Sequence, residues 1–320
     1  MAERPLVTVV DPLTWSHGWS YAVEDEILSA ADIDLKIPSD EAERDRLIAI
    51  ADVVISSSLI TIDQSWIARM ERCRAILCYS AGMDAVDTQA AAAAGILVGN
   101  VNASTDDVAD HTMMMLLAAE RRLGAMMEAT AAGQWDLTAI PEVGAIRRLR
   151  GQVLGIVGTG LIGRATAVRA RAFGFRTIGT RRRLNEAVDP DLPIVSLEEL
   201  CRTSDAIAVC ASLSDESRQL IGRHQFALMK PGMIFVNAAR GGLVDEEALA
   251  DALDSGQVGV AALDVRDPEP PVTVNDRLAD RTDVISTPHM AAASDGSRAD
   301  LHRLAAENII AMLASINRRS

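Results

Sequence analysis

The sequence predicts an α/β fold in which two units each carry a parallel sheet. Short apolar runs that suit buried strands alternate with helical stretches along the chain. A length of 320 residues leaves room for two domains of ordinary size. The glycine-rich segment Gly158–Gly163 stands in the middle of the chain, so the unit built around it is central and the flanking ends form one discontinuous unit.

The first unit is predicted from strands and helices that alternate in the first third of the chain. The strands are expected near residues 6–10, 52–56, 75–78 and 96–98, and the helices near 21–30, 40–50, 63–71 and 87–94. A long apolar helix is expected over residues 105–124. Ser104 is a good N-cap for it, and Asp106 and Asp107 place negative charge in its first turn.

The second unit is predicted from a further series of strands that begins directly before the glycine segment. Its strands are expected at residues 153–157, 175–179, 194–195, 206–209, 234–236, 259–262 and 284–286, with a last helical region over 291–315. The stretch from Gln134 to Arg150 is irregular and is expected at the surface between the two units. A ligand is expected between the units, at the carboxyl ends of the strands.

The glycine segment follows a strand and opens a helix, which is the context that favours dinucleotide binding in a Rossmann domain. Gly158 allows the tight turn, Gly160 lets the backbone approach a pyrophosphate, and Gly163 lets helix and strand pack closely. The first N–H groups of the helix can bind the phosphates. The candidate cofactor-binding residues here are Gly158, Thr159, Gly160, Leu161, Ile162 and Gly163.

The end of the next strand predicts which dinucleotide binds. An acidic residue that binds the ribose is expected there, roughly 20 residues after the glycines. This chain instead has Thr180, Arg181, Arg182 and Arg183. Arginines can pair with a 2′-phosphate that a carboxylate would repel, so NADP(H) is predicted to be preferred, with NAD(H) possible. The alternative is a solvated basic turn.

Composition excludes several classes of function. The net charge of −14 argues against a nucleic-acid or anionic-membrane surface. The sequence contains no run of 18 apolar residues, so no membrane span is expected. Met1–Pro5 leads directly into a strand-like segment, which is not the pattern of a signal peptide. The cysteines form neither a CxxC motif nor a zinc-like pairing with histidine, so we expect reduced thiols, no metal site and a cytoplasmic protein. They are Cys73, Cys78, Cys201 and Cys210.

Three polar stretches follow predicted strands of the second unit, over residues 237–242, 264–270 and 287–289. Reduction of a 2-keto acid needs a hydride donor, a proton donor and a cation for the carboxylate. Arg240 offers a rigid fork for a carboxylate, and His289 can give a proton near neutral pH. Glu269 could orient the imidazole and stabilise its charged form.

Each of these residues also has an ordinary interpretation. Arg240 could pair with Asp245, Glu269 could be a solvated loop residue, and His289 could cap a turn. The three together, in this order after the glycine segment, favour catalysis.

The other histidines have no such neighbours in the sequence. His111 and His302 are expected in helices and His224 at the surface. His17 belongs to an N-terminal loop with Trp15 and Trp19 that could line a substrate site, although packing explains these residues equally well.

Further motifs accompany this set, namely Leu149-Arg150-Gly151, Lys230-Pro231-Gly232 and Ala109-Asp110-His111-Thr112. With them the chain resembles the D-2-hydroxyacid dehydrogenase family over nearly its full length. The resemblance implies that Arg240 binds substrate, Glu269 tunes the histidine and His289 transfers the proton, while NAD(P)H supplies hydride. It implies a Rossmann domain over residues 103–288 and a discontinuous flavodoxin-like substrate domain over 1–102 and 289–320. It also implies a homodimer built on the nucleotide domain.

The resemblance extends to the substrate and to finer cofactor contacts. Ser80-Ala81-Gly82 matches a loop whose backbone amides hold the substrate carboxylate, as in glyoxylate and hydroxypyruvate reductases, and Ser57 is expected to line the same pocket. Further cofactor contacts are implied at Ser212, Ala238, Ala239 and Asp264. The chain departs from the family pattern at Leu161, where many members carry arginine, at Ser212-Leu213-Ser214, where Pro-Leu-Thr is usual, and at Arg266, where an aromatic residue is usual.

Alternative functions remain within the same fold. Formate dehydrogenase relatives carry glutamine where this chain has Glu269, which disfavours that reaction. A reductase of bulkier aryl or branched keto acids is one alternative. A nucleotide-sensing binding protein, like the corepressors that share this fold, is the alternative from a different class.

Overall fold

The computed structural model describes residues 4–10, 20–56, 60–136, 146–182, 189–271 and 274–318. The chain divides into two compact units, one of Met1–Ser104 with Ala293–Ser320 and one of Thr105–Ala292. His289 therefore lies in the second unit, whereas the sequence placed the boundary directly before it. The reason is local, because the backbone N–H of His289 donates to the carbonyl oxygen of Asp264 in the same unit.

The first unit contains a parallel sheet with the strand order β2-β1-β3-β4-β5. The strands are β1 Leu6–Val9, β2 Asp34–Lys36, β3 Val53–Ser56, β4 Ala75–Cys78 and β5 Leu97–Asn100. The helices between them are α1 Ala22–Ala30, α2 Glu41–Ile50, α3 Gln64–Ile67 and α4 Thr88–Ala93. Asp40, Asp63 and Asp87 cap the last three helices by accepting from backbone N–H groups of the first turn.

The second unit contains a parallel sheet with the order β11-β10-β9-β8-β6-β7. Its strands are β6 Val153–Val157, β7 Arg176–Thr180, β8 Ala206–Val209, β9 Met233–Asn237, β10 Val258–Leu263 and β11 Val284–Ser286. Its helices are α5 Thr105–Glu120, α6 Leu123–Ala131, α7 Leu161–Ala172, α8 Leu197–Thr203, α9 Arg223–Leu228 and α10 Glu246–Asp254. The last helix, α11 Asp295–Asn317, belongs to the first unit, where its apolar face packs in the core with Val7 and Leu77.

Three expectations about the elements were wrong in detail. The strand β2 was not predicted, because three residues with one apolar side chain carry no pattern. The predicted strand at 194–195 forms only a single bridge, between Gly179 and Ile194. The long helix stops at Glu120, because Arg122 takes a left-handed φ of 53° while its guanidinium donates to the carbonyl oxygen of Gly259 at 2.7 Å.

The cysteines are free thiols, and three of them are buried. Burial raises the pKa of Cys73 and of Cys201 to about 12. Among the helices in the described part of the chain, none is long and apolar enough to cross a membrane.

Candidate active site

The three polar stretches predicted from the sequence follow three neighbouring strands. Because β9, β10 and β11 pair in parallel, their carboxyl ends meet at one edge of the sheet. Arg240 follows β9, Glu269 follows β10, and His289 follows β11. The fold of this unit thus brings the three predicted catalytic positions to the same edge.

His289 and Glu269 form a direct contact at this edge. The imidazole Nδ1 lies 2.6 Å from Oε2 of Glu269, and the other carboxylate oxygen, Oε1, accepts from the backbone N–H of Arg266 at 3.0 Å. About two fifths of each side chain is exposed, at 42% and 37%. Since Nδ1 is engaged by a carboxylate, Nε2 is the nitrogen that can serve a substrate oxygen.

The backbone of His289 takes a left-handed conformation that is uncommon for residues other than glycine. Its φ is 54°, and its N–H donates to the carbonyl oxygens of Asp264, at 2.8 Å, and Thr287, at 3.1 Å. The buried Asp264 carboxylate also accepts from the N–H groups of Met290 and Ala291, both at 2.9 Å. Asp264 therefore anchors the histidine loop, and its predicted contact with a cofactor stays a prediction.

His111 joins the same network, which the sequence did not predict. Its Nε2 lies 3.1 Å from Oγ1 of Thr287 and 3.3 Å from Oδ1 of Asp264, and the Thr287 hydroxyl donates to that Oδ1 at 2.6 Å. His111 is in α5, 176 residues before Thr287, so no local spacing relates them. The motif around His111 noted in the resemblance was the one available signal.

The arginine loop is held by Asn237, the last residue of β9. The Asn237 side chain donates to the carbonyl oxygen of Arg240 at 2.9 Å and accepts from the N–H of Ala239 at 3.1 Å. The Arg240 guanidinium donates to the carbonyl oxygen of Ala239 at 2.8 Å. Asp245, the alternative partner considered for Arg240, accepts from the N–H of Ala248 and caps α10.

A close backbone approach joins the arginine loop to the glutamate loop. A Cβ at Gly241 would lie 2.0 Å from both the carbonyl carbon and the carbonyl oxygen of Arg266. No side chain can occupy that space, so glycine at this position lets the two loops pack together.

The glycine segment has the geometry that a dinucleotide requires. Gly158 has a φ of 99°, and a Cβ at Gly163 would lie 2.0 Å from the carbonyl oxygen of Gly158, whereas nothing lies within 4 Å of a Cβ at Gly160. Gly160 is the N-cap residue of α7, and it offers no side chain to bond the first N–H groups of the helix. Within the described part of the chain, the buried Thr159 Oγ1 has no hydrogen-bond partner. The open backbone and these unsatisfied groups fit a pyrophosphate.

Comparison with known proteins agrees with this geometry. Residues 113–291 match the family described as D-isomer specific 2-hydroxyacid dehydrogenase, NAD binding domain. The chain belongs to this dehydrogenase family. It is 36% identical to D-3-phosphoglycerate dehydrogenase of Methanocaldococcus jannaschii over 81% of its length, but spans about half, 49%, of that relative.

Two other relatives of the family are matched over most of both chains. Hydroxypyruvate reductase of Thermotoga maritima is 34% identical, with 82% of this chain and 85% of the relative covered. The crystal structure of a glyoxylate reductase from Paecilomyes thermophila superposes with a TM-score of 0.82 at 27% identity, covering 96% and 95% of the two chains. The family and the two-sheet α/β fold are thereby confirmed.

The basic turn predicted to select the dinucleotide, residues 180–183, begins at the end of β7. Thr180 is buried at the strand end, and Arg182 forms an ion pair with Glu216 in which both side chains are largely exposed. Arg183 lies outside the described residues. Glu216, far along the sequence, thus brings a carboxylate to a turn that was predicted to be purely basic. Nearby, Ser212 follows β8, and its carbonyl oxygen accepts from the Ser217 hydroxyl at 2.9 Å.

The predicted substrate loop follows β4 in the first unit. The Ser80 hydroxyl donates to the carbonyl oxygen of Gly82 at 2.8 Å, and the Asn100 side chain donates to that of Ala81 at 2.6 Å. These hydrogen bonds engage carbonyl oxygens of the loop. Binding of a substrate carboxylate by its backbone N–H groups stays a prediction. The other predicted substrate positions, Ser57 and the loop of Trp15, His17 and Trp19, lie outside the described residues.

A buried polar cluster stands directly before this loop. The Nδ1 of His302 lies 2.7 Å from Oε1 of Glu24 and 2.9 Å from the Tyr79 hydroxyl, which also donates to Oε1 of Glu24. Glu24 is completely buried. His302 lies in a helix, as expected, but its contact with Glu24 could not be predicted, because residues of α1 and α11 meet only in the folded unit.

Proposed function

We propose that this chain is a reductase of small 2-keto acids that prefers NADPH and makes the D-2-hydroxy acid. The observation that carries the proposal is the 2.6 Å contact between His289 Nδ1 and Glu269 Oε2 at the strand ends that also carry Arg240. A histidine held in this way by a carboxylate, with its second nitrogen left for a ligand, suits a proton donor.

Each of the three residues has a separate role in the reaction. The Arg240 guanidinium binds the substrate carboxylate and polarises the carbonyl group. His289 gives its Nε2 proton to the carbonyl oxygen, and Glu269 stabilises the imidazolium before that transfer. The nicotinamide cofactor, when bound, supplies the hydride that reaches the carbonyl carbon. Asp264, with Thr287 and His111, keeps the histidine loop in place.

The cofactor preference rests on the strand end after β7. Thr180, Arg181 and Arg182 stand where an acidic residue would bind the ribose of NADH. Arginine forks suit a 2′-phosphate, so NADPH is the preferred donor and NADH the weaker one. The glycine segment, with Leu161 and Ile162, binds the pyrophosphate, and Ser212, Ala238, Ala239 and Asp264 line the remainder of the cofactor site.

The substrate class rests on the loop after β4. Backbone amides of Ser80, Ala81 and Gly82, with Ser57, would hold the substrate carboxylate. The relatives named hydroxypyruvate reductase and glyoxylate reductase support a small keto acid. In this proposal the unit of Thr105–Ala292 binds the nucleotide and supplies Arg240, Glu269 and His289, while the other unit supplies Ser57 and the loop of Ser80, Ala81 and Gly82. The protein is proposed to be a cytoplasmic homodimer.

A steady-state assay with a panel of keto acids and both coenzymes tests the proposal. We expect turnover of glyoxylate or hydroxypyruvate, with a higher kcat/KM for NADPH than for NADH. Turnover of only aryl or branched keto acids would correct the substrate class. Tight coenzyme binding without turnover on any keto acid would reject the enzyme and favour a nucleotide-sensing protein.

A further inference from the structure

Arg266, which replaces an aromatic residue common in the family, is engaged by two carboxylates. Its Nε lies 3.1 Å from Oε1 of Glu246 and its Nη2 lies 2.9 Å from Oε2, which makes the contact bidentate. The same Nη2 lies 2.9 Å from Oδ1 of Asp276. The three side chains are mostly buried, at 12%, 21% and 9% exposure, so this is a fixed network rather than a solvated surface pair.

The network also holds the backbone of the glutamate loop. Oε1 of Glu246, in the first turn of α10, accepts from the N–H of Asp267 at 3.0 Å. The N–H of Arg266 itself donates to Oε1 of Glu269 at 3.0 Å. Arg266 therefore has two contacts of interest: its side chain binds Glu246 of α10, and its backbone N–H binds Glu269, the residue that contacts His289.

The opposite charges of Arg266 and its two carboxylate partners, Glu246 and Asp276, hold this clamp together. Burial acts to raise the pKa of Asp276, but the hydrogen bond from the Arg266 guanidinium and the backbone N–H of Leu278 outweigh it, so that the pKa lies below its usual value. Without the guanidinium, two partly buried carboxylates would face each other with no cation between them. The loop would then move away from α10 or admit water.

We propose that Arg266, clamped by Glu246 and Asp276, is a positioning residue that sets the Glu269 carboxylate for the His289 imidazole. The expected effect on turnover rests on the proposed function, whereas the expected effect on the orientation of Glu269 does not. Loss of the clamp frees the amide of residue 266, so the Glu269 carboxylate loses the hydrogen bond that orients it. Turnover falls because the imidazole is less well oriented, while the glycine segment and coenzyme binding are unaffected.

The test compares Arg266→Met with the matched variant Arg277→Met. Arg277 also pairs with acidic residues of α10, namely Glu247, Asp251 and Asp254, but it lies outside the loop that joins Arg266 to Glu269. We expect Arg266→Met to lower kcat roughly 10- to 100-fold with KM and coenzyme Kd changed less than about threefold, and Arg277→Met to behave as wild type. Wild-type kcat in a folded Arg266→Met, or equal losses in both variants, would overturn the proposal.

A second measurement needs no turnover. In the neutral form of the His289 imidazole, the ¹⁵N chemical shifts report which nitrogen carries the single proton, and we expect that proton on Nδ1 in the wild type and in Arg277→Met. In Arg266→Met we expect a mixture of the two tautomers, and an unchanged spectrum would overturn the proposal. If the wild type reduces no keto acid, the proposed function fails while this spectrum still tests the positioning. Should Arg266→Met not fold, Glu246→Gln removes the ion pair, and the same two outcomes apply to it.

Discussion

The orientation of His289 is set by contacts on both its ring and its backbone. The ring nitrogen contacts Glu269, and the backbone N–H donates to Asp264, whose carboxylate also holds the two following residues. A left-handed φ in a residue other than glycine costs free energy, so it persists only where such contacts over-determine it. This arrangement is what a positioned proton donor needs.

Replacing His289 by alanine removes the side chain that we propose as the proton donor. We expect His289→Ala to lower kcat by about 100- to 10,000-fold, with coenzyme Kd within about threefold of wild type. Pre-steady-state kinetics and titration calorimetry would check the two quantities separately. Turnover equal to wild type would show that the proton comes from another group.

If NADPH binds as proposed, Glu216 would compete with its 2′-phosphate for Arg182. Glu216→Gln removes the ion pair and frees the guanidinium, so we expect the NADPH-over-NADH ratio of kcat/KM to rise about two- to tenfold. Glu307→Gln is the matched control, because it removes an exposed carboxylate that pairs with Arg303 in the other unit. An unchanged or lower ratio in Glu216→Gln would contradict a phosphate site at this turn.

At the scale of elements, the site depends on loops that follow adjacent strands. Parallel strands place these loops at one edge, but only close packing sets their spacing, as at Gly241 against the backbone of Arg266. Asp205 joins neighbouring segments in the same way at the amino ends of the strands. Its carboxylate accepts from the N–H of Val153, at the start of β6, and from Lys230, before β9, at 2.8 and 2.7 Å.

The lowered pKa of Asp205 makes the stability of the protein depend on pH. Burial acts to raise its pKa, but the hydrogen bonds from Lys230 and Val153 outweigh it and lower the pKa below the usual value. A folded-state pKa below the unfolded one stabilises the protein above the unfolded pKa of about 4, and the benefit is lost as pH falls through the folded value.

We therefore expect Asp205→Asn to lower the free energy of unfolding by about 1 to 2 kcal/mol at pH 7, a difference that shrinks below about pH 4. Urea denaturation at several pH values would measure it. Asp32→Asn is the control, since Asp32 is 80% exposed beside Arg4 and should change little. A pH-independent difference for Asp205→Asn would contradict the assignment.

At the scale of the whole molecule, one helix of the second unit exposes apolar side chains. The helix α6 has no buried residue, and its Leu123 and Met127 are 45% and 64% exposed. Exposed apolar surface of this kind favours contact with a second copy, in agreement with the proposed homodimer.

We expect sedimentation to show a dimer at micromolar concentration and Met127→Glu to shift it towards a monomer, because a charge is costly inside an apolar interface. Val23→Glu, at an exposed position on α1, should leave the dimer unchanged. A dimer that tolerates Met127→Glu would place the interface elsewhere.

The sequence by itself determined the α/β class, the central position of the glycine segment and the three candidate catalytic residues. These signals are local or ordered along the chain: apolar runs of strand length, glycines where backbone must turn, and polar residues directly after strands. The start of β6, the bounds of β8 and the bounds of β11 followed from such runs alone.

Only the tertiary structure decided which distant groups complete each site. His111 reaches Asp264, Glu216 reaches Arg182, and Arg266 is clamped by Glu246. None of these pairs shares a helix or strand, so no periodicity links them. Hydrogen bonds and ion pairs form wherever packing brings donor and acceptor together, and packing is a property of the folded chain rather than of any stretch of sequence.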